Sequence, residues 1–349
     1  MTPPRILVCG AAGKTGRATV DALASRNVRV RAIVRVDDAR AKSLRATGAE
    51  VVVANLDDYR EVRAAFRDVQ RAFFVTGFTQ AQLDQALHMA IAAADARVEH
   101  VVAIGQWLAN PAHPSVATRR TWLVDQILDW IPGATHTVIN VGWFADNFMP
   151  MLGMAAQLGL FPFPLGEGRA APVSNEDIGA VAAAALVDPL PGAVLRPTGP
   201  LELSPVEIAD AFQEVVGRKV RYVDLPVPMF AKALRALRLV SPLLQAQLPS
   251  YVQEYQRGAF EGVTDVVPRL TGRSAEPFGA IVARYAERDP MARRSLGNTL
   301  RAMGQFLRIA VTPALSIPRW NRAQSIPMLR APVSSVDSSD WRATHRALA

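Results

Sequence analysis

Three glycines near the N-terminus carry the clearest chemical signal in the chain. Gly10, Gly13 and Gly16 form a GxxGxxG motif that directly follows an apolar, strand-like segment and opens a helical pattern. In such a motif the first glycine permits a sharp turn, the second lets the backbone approach a diphosphate, and the third lets helix and strand pack closely. The phosphates meet the N–H groups and the positive end of the helix. The motif therefore predicts a dinucleotide-binding site.

The same segment also matches the end of the phosphate loop found in nucleotide hydrolases, because Gly13, Lys14 and Thr15 occupy its last three positions. That loop needs another glycine five positions before Gly13, where this chain has Val8. Val8 lies inside the predicted strand, so the turn that cradles the phosphates cannot form. The sequence disfavours nucleotide hydrolysis.

The end of the second predicted strand indicates which dinucleotide is bound. An acid at this point would accept a hydrogen bond from the ribose 2′-OH of NAD(H). The strand ends at Val34-Arg35, and Asp37 follows two residues later. A guanidinium suits the 2′-phosphate of NADP(H), and Lys14 and Lys42 could add charge. The sequence favours NADP(H) over NAD(H), with the alternative that Arg35 is a solvated residue at the start of a helix.

The elements that position these residues alternate between short apolar runs and helical patterns. The runs predict six strands, near residues 5–9, 28–34, 51–53, 72–75, 98–104 and 135–141. Helical patterns separate them at 14–25, 37–47, 59–66, 80–94 and 118–130. This order predicts an α/β fold with a doubly wound parallel sheet of the Rossmann type, formed by residues 1–145.

The pattern loosens beyond residue 145. We expect residues 146–290 to form a smaller, mainly helical lobe over the substrate, with 172–197 returning to the first domain. Residues 291–349 form a basic extension with nine arginines and two acids. Its segment 332–340 is predicted to be a disordered linker. Because the extension holds most of the net charge of +8, the body is nearly neutral, and we expect no nucleic-acid partner.

The extension also contains an amphipathic pattern over residues 291–311, which Pro313 ends. One helix face would carry Leu296, Leu300, Met303, Leu307 and Ala310. Such a stripe must be covered by the protein's own body, by a protein partner or second subunit, or by an anionic membrane surface. The sequence leaves these three alternatives open. We expect the extension to be dispensable for cofactor binding.

Composition sets further limits. Cys9 is the single cysteine, so an intrachain disulfide is excluded. No apolar run is long enough for a membrane span, and no cluster of histidines or carboxylates suggests a metal site. We therefore expect a cytoplasmic protein without a membrane span or a metal.

Several segments together resemble one known family. Besides the glycine motif and Val34-Arg35, they are Asn55-Leu56-Asp57-Asp58, the segment Gly142 to Phe148, Pro172 to Ile178, and Thr271-Gly272-Arg273. Over about residues 4–288 the chain resembles the NmrA-like group, which are atypical short-chain dehydrogenases/reductases. The resemblance implies NADP(H) binding. It also implies either reduction of quinones, dyes and other carbonyl-like acceptors, or redox sensing without turnover.

Site residues follow from the resemblance by position. Gly10, Gly13 and Gly16 would contact the diphosphate with Lys14 and Thr15, and Arg35 would contact the 2′-phosphate. Asn55 and Leu56 would line the adenine, although relatives often have Asp at the position of Asn55. Thr76, Gly77 and Gly105 would flank the nicotinamide.

No catalytic residue is identified. Conventional short-chain dehydrogenases use a Tyr-x-x-x-Lys pair, but none of the five tyrosines has a lysine four positions later. His113, in the loop after the fifth strand, is more simply interpreted as structural. Because solvent can protonate the product of hydride transfer to a quinone, the missing acid weakly favours a small-molecule acceptor of this kind over a simple ketone.

Aromatic residues follow the fifth and sixth strands, where Rossmann ligands lie. Trp107, Trp143, Phe144 and Phe148 predict a wall for a flat, apolar acceptor, with Asn147 as its polar member. The alternative is that these rings pack the lobe against the sheet. The leading hypothesis is an NADP(H)-dependent oxidoreductase. The second is a catalytically silent NADP(H)-binding sensor that acts through a protein partner.

Overall fold

A seven-stranded parallel sheet organises the protein, for which a computed structural model describes residues 4–237, 241–313, 316–326 and 329–346. Its order is β3-β2-β1-β4-β5-β6-β8. The strands are β1 (Arg5–Val8), β2 (Arg29–Val34), β3 (Glu50–Val53), β4 (Arg71–Phe74), β5 (His100–Gln106), β6 (Thr135–Val141) and β8 (Ala193–Leu195). Because the order reverses between β1 and β4, a crevice forms there at the carboxyl ends of the strands.

Helices cover both faces of the sheet, which confirms the doubly wound Rossmann architecture. They are α1 (Lys14–Ala24), α2 (Ala39–Arg45), α3 (Tyr59–Ala65), α4 (Gln82–Asp95) and α5 (Val116–Leu128). Helices α1 and α2 pack with Val8 on one face, and α3, α4 and α5 pack with Leu7 on the other. Since both faces of β1 are buried, the strand is apolar at successive positions rather than alternating.

The remaining chain to residue 288 forms the smaller, mainly helical lobe and one return to the sheet. Its helices are α6 (Leu152–Leu158), α7 (Asn175–Val187), α8 (Pro205–Val216), α9 (Val227–Leu237), α10 (Pro242–Gln256), α11 (Val266–Thr271) and α12 (Phe278–Arg288). The return consists of α7, which packs against α1, and β8, which pairs with β6. The lobe also contains a parallel pair, β7 (Leu160–Phe163) and β9 (Arg221–Asp224).

The C-terminal extension folds back on the body. It contains α13 (Leu296–Val311), α14 (Ile317–Ala323) and α15 (Ser339–Arg346), and α13 corresponds to the predicted amphipathic helix. Gln157 of α6 donates to the carbonyls of Met291 and Arg293 at 2.8 and 3.0 Å. Lys232 of α9 donates to the Ala310 carbonyl near the end of α13. No described helix is both long enough and apolar enough to cross a bilayer.

The prediction that residues 332–340 are disordered is wrong. Ser335 is fully buried, and its Oγ donates to the Leu108 carbonyl at 2.8 Å. The backbone N–H groups of Ser335 and Val336 donate to the two carboxylate oxygens of Glu254 in α10. A serine-rich composition favours disorder only where no partner is near, and this partner lies 81 positions away in the sequence.

Candidate cofactor and substrate site

The glycine loop joins β1 to α1 at the reversal of the sheet order. Gly10 has a φ of +65°, and a Cβ on Gly16 would overlap the Gly10 carbonyl, so both positions require glycine. Helix α1 begins at Lys14 with Gly13 as its N-cap, and no side chain caps it. By contrast, the Asp38 carboxylate caps α2. The first-turn N–H groups of α1 therefore face outward without a side-chain acceptor, which fits the diphosphate of a dinucleotide.

The predicted 2′-phosphate residue lies at the carboxyl end of β2. Arg35 is exposed, and no hydrogen bond or ion pair joins it to another described residue. The nearby Asp37 pairs with Arg45 through two bonds of 2.8 and 2.9 Å. The hydrogen bond from Arg45 holds the pKa of Asp37 below its usual range. The acid that could have bound a ribose 2′-OH is thus engaged, while Arg35 is free for a phosphate.

Asn55 and Leu56 occupy the neighbouring loop after β3. The Asn55 N–H donates to Glu61 at 2.7 Å, and the Asn55 side chain accepts from the Asp57 N–H at 3.1 Å. The Leu56 carbonyl accepts from His88 Nδ1 at 2.9 Å. These bonds hold the loop in place beside the end of β2, and its contact with an adenine stays a prediction.

Thr76, Gly77 and Gly105 lie at the carboxyl ends of β4 and β5. Gln82 Nε2 at the start of α4 donates weakly to Thr76 and to Thr121 of α5, at 3.4 and 3.3 Å. Its Oε1 is buried without a described partner, although buried polar atoms are normally hydrogen-bonded. The sequence does not predict a role for Gln82 or Thr121, because no motif marks an amide or a hydroxyl at these helix positions.

Gly105 also marks a tight contact between β5, β6 and α5. A Cβ at this position would overlap Asn140 Oδ1 and would lie 3.3 Å from Asp125 Oδ1. Neither oxygen has a hydrogen-bond partner among the described residues. Burial raises the pKa of Asp125 to about 8. This carboxyl does not line the aromatic cavity described next.

An aromatic cavity of about 370 Å³ lies between the glycine loop and the lobe. Three of the residues predicted for the acceptor wall line it: Trp143, Phe144 and Asn147. The lobe adds Met151, Phe163, Phe230, Leu234, Leu244, Leu248 and Val252. Lys14 and Asn175, at the N-termini of α1 and α7, complete the wall. The cavity is thus largely apolar and directly adjoins the glycine loop.

Two other predicted wall residues do not reach this cavity. Phe148 is fully buried, with its ring 5.3 Å from that of Phe163 and 5.8 Å from that of Phe278. Trp107 donates from Nε1 to the Ala259 carbonyl, and the Arg196 guanidinium lies 3.8 Å from its ring centre. The structure gives both residues a packing role, so they are not assigned to the substrate wall.

The sequence does not predict the polar partners of Lys14, of which Asp146 also lines the cavity. Lys14 Nζ lies 2.5 Å from Asp146 Oδ2, and the Tyr285 hydroxyl donates to the same oxygen. Burial, and then the bond to Asp146, raise the pKa of Tyr285. Thr15 Oγ1 similarly donates to Asn175 Oδ1 at 2.6 Å. The glycine loop is therefore linked to α7, to α12 and to the segment after β6.

Three further titratable residues are buried and lie outside the aromatic cavity. His113 is fully buried; its Nδ1 accepts from the Ser115 N–H at 2.9 Å, so its Nε2 donates to Glu254 at 3.1 Å. His100 begins β5, at the far end of the sheet, and burial lowers its pKa to about 4. Burial raises the pKa of the Cys9 thiol to about 12, which leaves it unreactive at neutral pH.

The sheet order and the open glycine loop define an NAD(P)-binding protein of the Rossmann type. The family model of the NmrA-like family matches residues 2–261, so the chain belongs to this family and the predicted resemblance is confirmed.

Relatives span most of the chain. It is 31% identical over 288 residues to an NAD(P)H azoreductase of Xenophilus azovorans, covering 80% of this chain and 98% of the relative. It is 30% identical over 284 residues to a (4-alkanoyl-5-oxo-2,5-dihydrofuran-3-yl)methyl phosphate reductase of Streptomyces griseus, covering 81% and 98%. A solved NADPH-dependent quinone oxidoreductase of Escherichia coli, in complex with NADPH, shares the fold. The two structures superpose with a TM-score of 0.71 at 22% sequence identity. The match covers 80% of this chain and 99% of the quinone oxidoreductase.

Proposed function

We propose that the protein is an NADP(H)-dependent oxidoreductase that reduces a flat, apolar carbonyl or quinone-like acceptor. One observation carries this proposal: Lys14 belongs both to the glycine loop and to the wall of the aromatic cavity. A cofactor held by the loop and an acceptor in the cavity would therefore be neighbours. Two of its relatives are reductases, and the match to this chain covers 98% of each of them, which supports this activity.

The glycine loop would hold the cofactor diphosphate through the free N–H groups of α1, with Lys14 and Thr15 beside it. Arg35 would pair with the 2′-phosphate through its planar fork of donors. Asn55 and Leu56 would lie along the adenine, and Thr76, Gly77 and Gly105 would flank the nicotinamide. Bound NADPH would supply the hydride.

Lys14 has a second role in this proposal. Its side chain is 63% exposed, whereas that of Asp146 is only 12% exposed. The ammonium can neutralise an incoming diphosphate while Asp146 and Tyr285 keep it beside the cavity. These residues position the loop against the lobe and do not act on the acceptor themselves.

The cavity wall matches an acceptor that is flat and has few polar atoms. Trp143 and Phe163 offer aromatic surface, and Asn147 offers one amide. The Trp143 indole N–H is buried without a described partner, and we propose that it donates to an acceptor oxygen once the acceptor is bound. Since the wall has no Tyr-x-x-x-Lys pair, we infer that solvent protonates the product, as it can for a reduced quinone.

The experiment that tests the acceptor site compares Trp143→Phe with wild type. The substitution keeps an aromatic ring but removes the N–H, so we expect KM for a quinone to rise about 5- to 10-fold. The Kd for NADPH should stay unchanged. Trp130→Phe is the matched control, because Trp130 is exposed and does not line the cavity. An unchanged KM in Trp143→Phe would remove Trp143 from the acceptor site.

A further inference from the structure

Helix α13 presents an apolar surface that the protein's own body leaves uncovered. Within the helix only Ala302 and Ile309 are buried. The exposed stripe consists of six large side chains that are 51–86% exposed: Leu296, Leu300, Met303, Phe306, Leu307 and Val311. Large apolar side chains clustered in this way normally mark an interaction site.

The charged residues of the segment that contains α13 all have the same sign. Residues 291–336 contain seven arginines and no aspartate, glutamate or lysine. Arg294, just before α13, and Arg301 and Arg308 within it are exposed and recur every seven residues. The elements packed against α13, helices α6 and α9, contain no acid and add Lys232 and Arg235. No carboxylate within these elements offsets the positive charge of this face.

A second, smaller cavity adjoins the exposed stripe. It measures about 150 Å³, and Phe306, Ile309 and Ala310 of α13 form one of its sides. It shares Met151, Phe230 and Leu234 with the aromatic cavity. Phe306 and Met229 also line it and are 55% and 42% exposed, so this cavity reaches the surface beside the exposed stripe.

The positive charge and the exposed apolar side chains of α13 together indicate which kind of partner covers this face. A second copy of this chain, docked symmetrically, would bring the two sets of arginines together, and like charges across an interface are costly. An anionic bilayer satisfies both features, because its acyl region accepts the stripe and its headgroups attract the arginines. We propose that the α13 face docks on the surface of an anionic lipid bilayer.

This docking does not depend on the proposed enzymatic function. If both hold, the smaller cavity would open at the bilayer surface. An apolar acceptor dissolved in the membrane could then pass to the aromatic cavity by displacing the side chains of Met151, Phe230 and Leu234, which line both cavities. The extension would then select lipid-soluble acceptors.

Co-sedimentation of the full-length protein with lipid vesicles tests the proposal. We expect binding to vesicles of phosphatidylcholine with phosphatidylglycerol, little binding to phosphatidylcholine alone, and weaker binding at high salt. The double variant Leu300→Asn, Leu307→Asn should bind at least about 10-fold more weakly. Arg301→Gln with Arg308→Gln should weaken binding by a similar factor.

Matched controls use comparable substitutions elsewhere on the surface. Leu201→Asn with Val206→Asn changes two exposed apolar residues of the lobe, and Arg29→Gln with Arg97→Gln changes two exposed arginines. Both controls should bind vesicles like wild type. Circular dichroism confirms that each variant is folded.

Three results would overturn the proposal. The first is a folded wild type that does not bind anionic vesicles. The second is equal binding to both vesicle types with no effect of the α13 variants. The third is a concentration-dependent dimer that the leucine variant abolishes while vesicle binding is absent, which would make the exposed stripe a subunit interface.

Discussion

The glycine loop and the C-terminal extension use polar groups in opposite ways. The conformation of the loop depends on glycines within seven positions of one another, and the loop leaves the N–H groups of α1 without a side-chain cap. The extension depends on residues far apart in sequence, and it pairs buried polar groups. Glu254 accepts hydrogen bonds from His113, Ser335 and Val336, and Trp341 donates to the Trp107 carbonyl.

Because of this difference, we expect the glycine loop to determine cofactor affinity and the extension to contribute to the stability of the fold. Free N–H groups at an exposed helix end cost little, because water satisfies them until a ligand arrives. A buried carboxylate such as Glu254 is tolerable only while its donors are in place, and removing one partner of a buried charge typically costs about 3–5 kcal/mol. Damage to the loop should therefore affect affinity, whereas damage to the extension should affect folding.

The largest expected effect follows from truncation after residue 290. It removes Ser335 and Val336 from Glu254 and uncovers Trp107, so we expect the free energy of unfolding to fall by about 3 kcal/mol or more. Chemical denaturation measures it. Glu254→Gln in the full-length chain should also destabilise, while Glu214→Gln, an exposed control, should not. If the truncated chain is as stable and binds NADPH normally, the extension is dispensable, as the sequence alone suggested.

The next largest effect concerns the loop. Gly16→Ala places a Cβ against the Gly10 carbonyl and forces the loop away from α1. Loss of two charge-assisted hydrogen bonds, about 1.5 kcal/mol each, should weaken NADPH binding about 100-fold. Fluorescence titration measures the affinity. Gly304→Ala is the control, because a Cβ at Gly304 meets open space. If Gly16→Ala binds NADPH as tightly as wild type does, the glycine loop is not the diphosphate site.

A smaller effect sharpens the choice of cofactor. Arg35→Ala removes one charge-assisted contact of about 1.5–3 kcal/mol, so NADPH binding should weaken about 10- to 100-fold while NADH binding hardly changes. Arg29→Ala, at the opposite end of β2, should affect neither cofactor. An equal loss for both cofactors in Arg35→Ala would show that Arg35 supports the structure rather than a phosphate.

Local patterns in the sequence were sufficient to predict the sheet and the glycine loop. Strand and helix periodicity depends on neighbouring residues, and the conformation of Gly10 to Gly16 depends on the loop itself. The sequence does not predict the pair β7–β9, because the prolines in and after Phe161-Pro-Phe163 are typical of a loop. The structure shows that the proline is tolerated in this short two-stranded sheet.

Contacts between distant residues could not be predicted in this way. Asp146 lies 132 positions from Lys14 and 139 from Tyr285, and no periodicity relates them. The buried position of Ser335 depends on Glu254. Because the residues around Glu254 have an ordinary helical pattern, nothing in the sequence marks it as the partner of Ser335. The aromatic residues after β5 and β6 were recognised as a group, but only packing separates Trp143 and Phe144, which line the cavity, from Trp107 and Phe148, which do not.

The most direct test of the central claim is the oxidation of NADPH by the purified protein with a panel of flat quinones and azo dyes. We predict saturable, acceptor-dependent loss of NADPH absorbance, with a lower KM for NADPH than for NADH. Tight binding of NADPH without oxidation by any acceptor would contradict the claim and would instead indicate a sensor that acts through a protein partner.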